Sequence, residues 1–306
     1  MERIVMSGRT YLDAKHRVPT FLARELQPVR YTMGSMNDSQ PTNDDPTLKP
    51  SSVEGAHAPE IGNDVGIEAE SAGTVPREVF RGTDEELLHG IRQRAEELGI
   101  AGVPKDAWQP LARYCRLVWG WNDRMNLTRH TTPELFVKRD LLDSVELAKC
   151  LKPNEEVLDI GTGGGVPGVL VAILRPDLEV TLCDNVGKKA KVVQEIVDAL
   201  GLSIPVHSLS VTKVLEDFRY DTLFARAVGP LSRLCGWLKE DWHKFGRLLA
   251  IKGPRWPDER GEARHKGLLK GLDLRRLVSY PMPDTQSEST ILQLSRMKGA
   301  QPVDET

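Results

Sequence analysis

The stretch Glu156-Val157-Leu158-Asp159-Ile160-Gly161-Thr162-Gly163-Gly164-Gly165-Val166-Pro167-Gly168-Val169-Leu170-Val171-Ala172-Ile173-Leu174 decides the fold. A short strand-like run, Glu156 to Ile160, enters a glycine cluster, and an apolar helix over Pro167 to Leu174 follows. Glycines at such a turn let backbone N–H groups and a helix N-terminus approach a ligand closely. Pro167 suits the first helical turn because its missing N–H has no intrahelical partner. Asp184 closes a second strand, 23 residues after Gly161. An acid there accepts hydrogen bonds from both ribose hydroxyls of an adenosine ligand. Together the loop and the acid predict a nucleoside-containing cofactor held by Gly161, Gly163, Gly165 and Asp184.

Downstream, short apolar strands alternate with amphipathic helices. Strands are expected at Val180 to Cys183, near Val206, at Thr222 to Ala225 and at Leu248 to Ile251, with helices at Lys188 to Leu200 and Leu231 to Trp242. This alternation predicts a parallel sheet covered on both faces. The end differs. Leu274 to Tyr280 and Thr290 to Leu294 are strands separated by a polar loop too short for a parallel crossover, so this last pair is antiparallel. Upstream the pattern is helical. Thr83 caps a helix with Asp84, Glu85 and Glu86 at its positive end and a stop at Leu98-Gly99; a second helix runs from about Lys105 to Asp123, and Thr132-Pro133-Glu134 opens a third. The expected organisation is a disordered extension over 1–75, a helical subdomain over 76–151, a Rossmann-like α/β domain over 152–300 and a tail over 301–306.

The chain has 306 residues, 40% of them apolar and 28% charged, the profile of a soluble globular protein. Its longest uncharged apolar run, Val166 to Leu174, is far short of the roughly 20 residues needed to span a membrane. MERIVMSGRT at the start carries charges where an export signal is apolar, so a cytoplasmic protein is expected. Cys115, Cys150, Cys183 and Cys235 form no CxxC pair and read as reduced packing thiols. Residues 37–70 hold eight acids, one base and no aromatic residue, a composition that cannot offset its ordering entropy. Met33 and Met36 are plausible alternative starts. Residues 244–276 hold ten Lys/Arg against four acids, a natural partner for nucleic-acid phosphate or a solvated helix face.

Two cofactor classes fit the loop. Gly163, Gly165 and Gly168 satisfy G-x-G-x-x-G, the fingerprint of nicotinamide dinucleotide sites. Asp159, just ahead of the loop, places a carboxylate where the methionine ammonium of S-adenosylmethionine is held. The antiparallel last strand pair matches the class I methyltransferase sheet rather than a fully parallel dinucleotide fold. Both features favour S-adenosylmethionine.

The chain also resembles the RsmG (GidB) family of ribosomal RNA small subunit methyltransferases from about Trp108 to Met297. The resemblance is carried by Trp121-Asn122 with Asn126-Leu127-Thr128, Arg139 with Leu142-Asp143-Ser144, Asp159 to Gly168, and Arg175-Pro176. It continues through Leu182 to Asp184 with Gly187-Lys188-Lys189, Arg226-Ala227 with Pro230-Leu231, and Lys252-Gly253. It implies S-adenosylmethionine-dependent methylation of guanine N7 in 16S rRNA, with the small ribosomal subunit as partner. It further implies that Gly161 and Val166 line the cofactor, that Ser210 and Val211 lie near its adenine, and that Arg226 faces it. Ser210 as a plain helix cap and Arg226 as a partner for a nearby carboxylate are the structural alternatives. The family usually has His where this chain has Asp140, and residues up to about 75 have no counterpart.

The residues also constrain the atom methylated. Ala225-Arg226-Ala227-Val228-Gly229-Pro230 follows the fourth strand where exocyclic-amine methyltransferases carry [DNS]-P-P-[FYW], and no Pro-Cys supplies the nucleophile of carbon-5 pyrimidine methylation. Guanine N7 has an in-plane lone pair and no proton to lose, so positioning suffices. Arg139 and Lys252 are the candidate catalytic residues; with Arg226 they are expected to hold the guanine O6 edge or flanking phosphates. A methyltransferase for a small molecule or protein and a non-catalytic ribosome-assembly factor are the competing readings. A monomer is expected.

Overall fold

The structure, a computed structural model, describes residues 78–297; the expected extension over 1–75 and the tail over 301–306 lie outside the described residues. Helix α1, Asp84–Glu97, begins as its sequence dictates. Thr83 Oγ1 accepts from the Glu86 N–H at 3.2 Å and Glu86 Oε2 accepts from the Thr83 N–H at 2.7 Å. This reciprocal cap satisfies two of the helix's orphan donors. The second helix opens as a single 3-10 turn, Lys105–Ala107, before α2, Trp108–Asn122. It stops where Asn122 Oδ1 accepts from the N–H groups of Leu127 and Thr128.

The third helix is not continuous as its pattern predicts. It consists of α3, Pro133–Leu135, a π-helical turn, Phe136–Leu141, and α4, Leu142–Cys150. The wider turn buries Phe136, Val137, Asp140 and Leu141 together, and such turns often mark functional positions. Leu135, at the end of α3, is exposed.

From Glu156 the chain alternates: β1, Glu156–Ile160; α5, Gly168–Leu174; β2, Glu179–Cys183; α6, Gly187–Leu200; β3, Val206–His207; α7, Val211–Asp217; β4, Tyr220–Arg226; α8, Leu231–Trp237; β5, Phe245–Lys252; α9, Trp256–His265; β6, Leu272–Pro281; β7, Glu288–Arg296. The sheet order is β3-β2-β1-β4-β5-β7-β6. Strands β1 to β5 pair in parallel, and β7 lies antiparallel between β5 and β6. This is a Rossmann-like sheet with a reversed last strand, as the sequence predicts. Pro167 precedes α5 rather than sitting in its first turn. Helix α8 is shorter than the run to Trp242 suggests, because the Leu238 N–H closes on Leu234 and the chain turns through Asp241 and Lys244 to reach β5. The basic segment contains a helix, α9, whose start is signalled by Pro257 with Asp258 and Glu259 in the first turn.

Strand periodicity separates two cores. Val157, Phe224, Leu249 and Ile251 face one cluster with α1, α2, α4, α5 and α6, whereas Leu158, Ile160, Leu223, Ala225, Leu248 and Ala250 face another with α7, α8 and α9. The helical segment therefore shares its core with one face of the sheet. The cysteines are free. Burial pushes Cys183 up to about 12 and Cys235 up to about 11, as expected of packing thiols. Among the described residues no helix is long and apolar enough to cross a membrane.

Candidate active site

The loop between β1 and α5 is strapped at both ends by one carboxylate. Asp159 Oδ2 accepts from Thr162 Oγ1 at 2.7 Å and from the Gly168 N–H at 2.9 Å. Its other oxygen, Oδ1, is buried with no hydrogen-bond partner among the described residues. Burial pushes the Asp159 carboxyl up to about 7, against the opposing pull of its two donors. Within the loop, Gly163 and Gly165 have φ of +59° and +97°, the left-handed region that favours glycine. The Gly163 N–H donates to Asp184 Oδ2 at 2.9 Å and the Val186 N–H to Asp184 Oδ1 at 2.8 Å. The acid at the end of β2 is thus oriented by backbone, and each of its oxygens keeps a lone pair for a further donor.

Gly168 is required by contact. A Cβ there would lie 2.2 Å from Leu182 Cδ2 and 2.9 Å from Asp159 Cβ. Gly168→Ala is expected to destabilise the protein by about 1–3 kcal/mol through overpacking, read as a lower urea midpoint. A midpoint equal to the parent's would refute the tight α5–β1 approach.

The helical segment closes over this loop. Tyr114 Oη on α2 donates to the Gly164 carbonyl at 2.8 Å, and a Cβ on Gly164 would meet the Leu127 carbonyl at 3.2 Å. Trp119 belongs to the core, its Nε1 donating to the His130 carbonyl at 2.8 Å. Trp121 is half-buried beneath the Arg124 guanidinium.

Arg226, the last residue of β4, shares the parity of Phe224 and so faces the side covered by α4. Its Nη1 donates to Asp143 Oδ2 at 3.0 Å and its Nη2 to Asp140 Oδ1 at 2.6 Å. Asp140 Oδ1 also accepts from His130 Nδ1 at 2.8 Å, and Asp143 Oδ1 from Tyr280 Oη at 2.7 Å. Burial raises both carboxyls. At Asp140 the charge of Arg226 and the contact with His130 outweigh it and hold the group below its ordinary range; at Asp143 burial wins over Arg226 and Tyr280. Desolvation opposes the Arg226 charge, but the two carboxylates more than offset it and raise its pKa. Immediately after, Ala227 has φ of +56°, a strained conformation for a residue with a Cβ. A Cβ on Gly161 would stand 3.1 Å from a Val228 methyl, so this turn leans on the glycine loop.

The other expected site residues are dispersed. Arg139 is exposed on the π turn, one position before Asp140, and its side chain has no ion pair among the described residues. Lys252 has the opposite parity from Arg226 within the paired strands and lies on the other face of the sheet. Its ammonium is buried, donating to the Gly229 carbonyl and to Glu259 Oε2. Arg226 and Lys252 are therefore not brought together. Ser210 caps α7, its Oγ accepting from the Lys213 N–H at 3.4 Å. Val211 is buried in the α7–α9 core, while Val166 is half-buried in the loop. Sequence reasoning missed His130 and Tyr280, which carry no local signal. It also missed Val186 and Leu209, apolar residues 45% and 46% exposed just beyond the ends of β2 and β3. Their signal was an apolar side chain in each loop after a strand.

A family model described as rRNA small subunit methyltransferase G matches residues 107–286. A ribosomal RNA small subunit methyltransferase G from Rhodopirellula baltica is 52% identical over 178 residues, covering 58% of this chain and 77% of that protein. Proteins of the same description from Chlorobaculum tepidum and Alkalilimnicola ehrlichii are 33% and 34% identical over 193 and 219 residues, covering 61% and 64% of this chain and 88% and 93% of theirs.

Proposed function

This chain belongs to the rRNA small subunit methyltransferase G family, and from that premise we propose that it transfers a methyl group from S-adenosylmethionine to N7 of a guanine in 16S rRNA. The observation that carries the reading is the family match over residues 107–286, which contains the whole glycine loop. The residues fit the cofactor. The glycine turn leaves room for a backbone approach, Asp184 presents lone pairs to ribose hydroxyls, and the orphaned Asp159 Oδ1 is an acceptor suited to a cationic ammonium. Val186 and Leu209 offer an apolar rim to the adenine. Gly161, Gly163, Gly165 and Val166 form the loop wall, with Ser210 and Val211 at the head of α7 on the adenine side.

Bound there, S-adenosylmethionine supplies an electrophilic sulfonium methyl. The chain's part is orientation. Arg226, fixed by Asp140 and Asp143, presents a preorganised cation at the end of β4, and Arg139 is the exposed cation of the adjoining turn. No side chain removes a proton, since N7 carries none. Lys252 acts indirectly, holding the Gly229 turn against α9. The protein works as a monomer in the cytoplasm on the small ribosomal subunit or its RNA.

Labelled S-adenosylmethionine incubated with small-subunit RNA is expected to transfer label, and N7-specific strand scission is expected to map it to one guanine. Absence of transfer to RNA, or calorimetric binding of a nicotinamide coenzyme in place of S-adenosylmethionine, overturns the reading.

A further inference from the structure

Helices α8 and α9 lie side by side over the sheet face opposite Arg226, and their charges are sorted. Two of the three acids of α9 are paired: Glu259 accepts from Lys252 and the Leu231 N–H, and Glu262 accepts from Ser232 Oγ and Lys266. Asp258 is the one acid of the two helices without a partner among the described residues. Arg233, Arg255, Arg260 and Arg264 are exposed and form no ion pair among the described residues. Arg260 and Arg264 stand one turn apart on α9, and Arg233 and Trp237 one turn apart on α8.

Trp237 is 43% exposed and belongs to neither core. A partly exposed aromatic side chain one turn from the unpaired Arg233 is a pairing suited to RNA, a stacking surface with a phosphate ligand. Two helix glycines on this face, Gly236 and Gly261, are not required by packing or by a positive φ: a Cβ on either would meet nothing within 4 Å. Glycine is a poorer helix former than alanine, and here it leaves the backbone bare to a partner.

From these observations we infer that α8 and α9 form an RNA-docking face separate from the methyl-transfer site, taking phosphates on Arg233, Arg255, Arg260 and Arg264 and an unstacked base on Trp237. The inference rests on the proposed rRNA substrate and places part of that substrate's binding outside the pocket. Both helices start just beyond the ends of β4 and β5, at the same edge of the sheet as the glycine loop, and lead away from it. RNA flanking the target guanine would follow that direction.

The test uses the full chain, the double variant Arg260→Glu/Arg264→Glu and the single variant Trp237→Ala, with a 16S rRNA transcript as probe. Thermal unfolding and calorimetric affinity for S-adenosylmethionine, expected to equal the parent's, report that both variants are folded. RNA affinity of the double variant is expected to fall at least about 10-fold, with a shallower salt dependence: losing two phosphate contacts lowers the log–log slope by about 1.4 on single-stranded RNA. Trp237→Ala is expected to weaken binding by about 5-fold or more. In methyl transfer, KM for RNA rises while kcat is kept. RNA affinities and salt slopes within two-fold of the parent's overturn the docking face. So does normal RNA binding coupled with lost binding to the intact subunit, which would assign the face to a ribosomal protein. The parent's own methyl transfer, read in the same assay, decides the proposed function separately, because the affinity comparison needs no turnover.

Discussion

Arg226→Met is expected to lower stability at neutral pH by about 3–5 kcal/mol, because it leaves Asp140 and Asp143 buried without their shared counter-charge. Both carboxylates are nearly inaccessible, and the three groups meet within hydrogen-bond distance. In the variant the carboxyls bind protons more tightly folded than unfolded, so their penalty is largest above pH 7 and shrinks as pH falls towards 4. In the parent the sign at Asp140 is opposite. Its depressed folded pKa contributes stability above the unfolded value near 4, and that contribution is lost as pH falls below it. Adding Asp140→Asn and Asp143→Asn to Arg226→Met is expected to restore most of the loss. Urea unfolding at several pH values measures all three; a single variant within 1 kcal/mol of the parent at pH 7.5 would show that the guanidinium does not balance the pair.

Asp159→Asn has an effect of similar size and opposite direction. The parent carboxyl is raised from near 4 to about 7 in the folded state, so it holds its proton more tightly folded than unfolded. Stability from this group is fully present below the unfolded pKa and is lost as pH rises to about 7. By linkage the loss is on the order of 4 kcal/mol. Asparagine keeps an oxygen to accept from Thr162 and Gly168 but has no proton to lose. Between pH 4 and pH 8 the stability difference should therefore move in the variant's favour by that amount, and urea midpoints that track the parent's at every pH would refute the raised carboxyl. Binding should run the other way. Under the proposed function, the ammonium of S-adenosylmethionine favours the ionised Asp159. Affinity should rise from about pH 5 to pH 7 with proton release in the parent, and should be weak and change little over that range in the variant, because the ligand's α-ammonium stays protonated there. Calorimetry in buffers of different ionisation heat separates proton release from binding.

The network around Arg226 also explains Asp140. The resemblance to the family leads one to expect a histidine at that position. Here the carboxylate accepts from His130, ten residues earlier, while gripping Arg226. An imidazole is thus present in the cluster, brought from the loop after α2 rather than from the π turn.

How much was legible varies with the range of the interaction. The glycine loop, Asp184, the reversed last strand pair and the Thr83 cap follow from rules acting over a few residues, and each stands where its pattern placed it. The start of α9 carried an equally local signal, Pro257 with two acids, obscured by the basic composition around it. The π turn was not legible, since apolar spacing near 3.6 does not distinguish one wide turn from a regular helix.

By itself the sequence determined the strands of the sheet, the position of the glycine loop and the antiparallel last pair, because backbone sterics and side-chain periodicity act on neighbours along the chain. Only the tertiary structure decided which charges meet. Arg226 reaches Asp143 and Asp140 across 83 and 86 residues, and Lys252 turns to Glu259 on the opposite face. Those pairings depend on how the helical segment and α9 pack against the two sides of the sheet. A buried charge must find its partner in space, and no spacing in the chain encodes that distance.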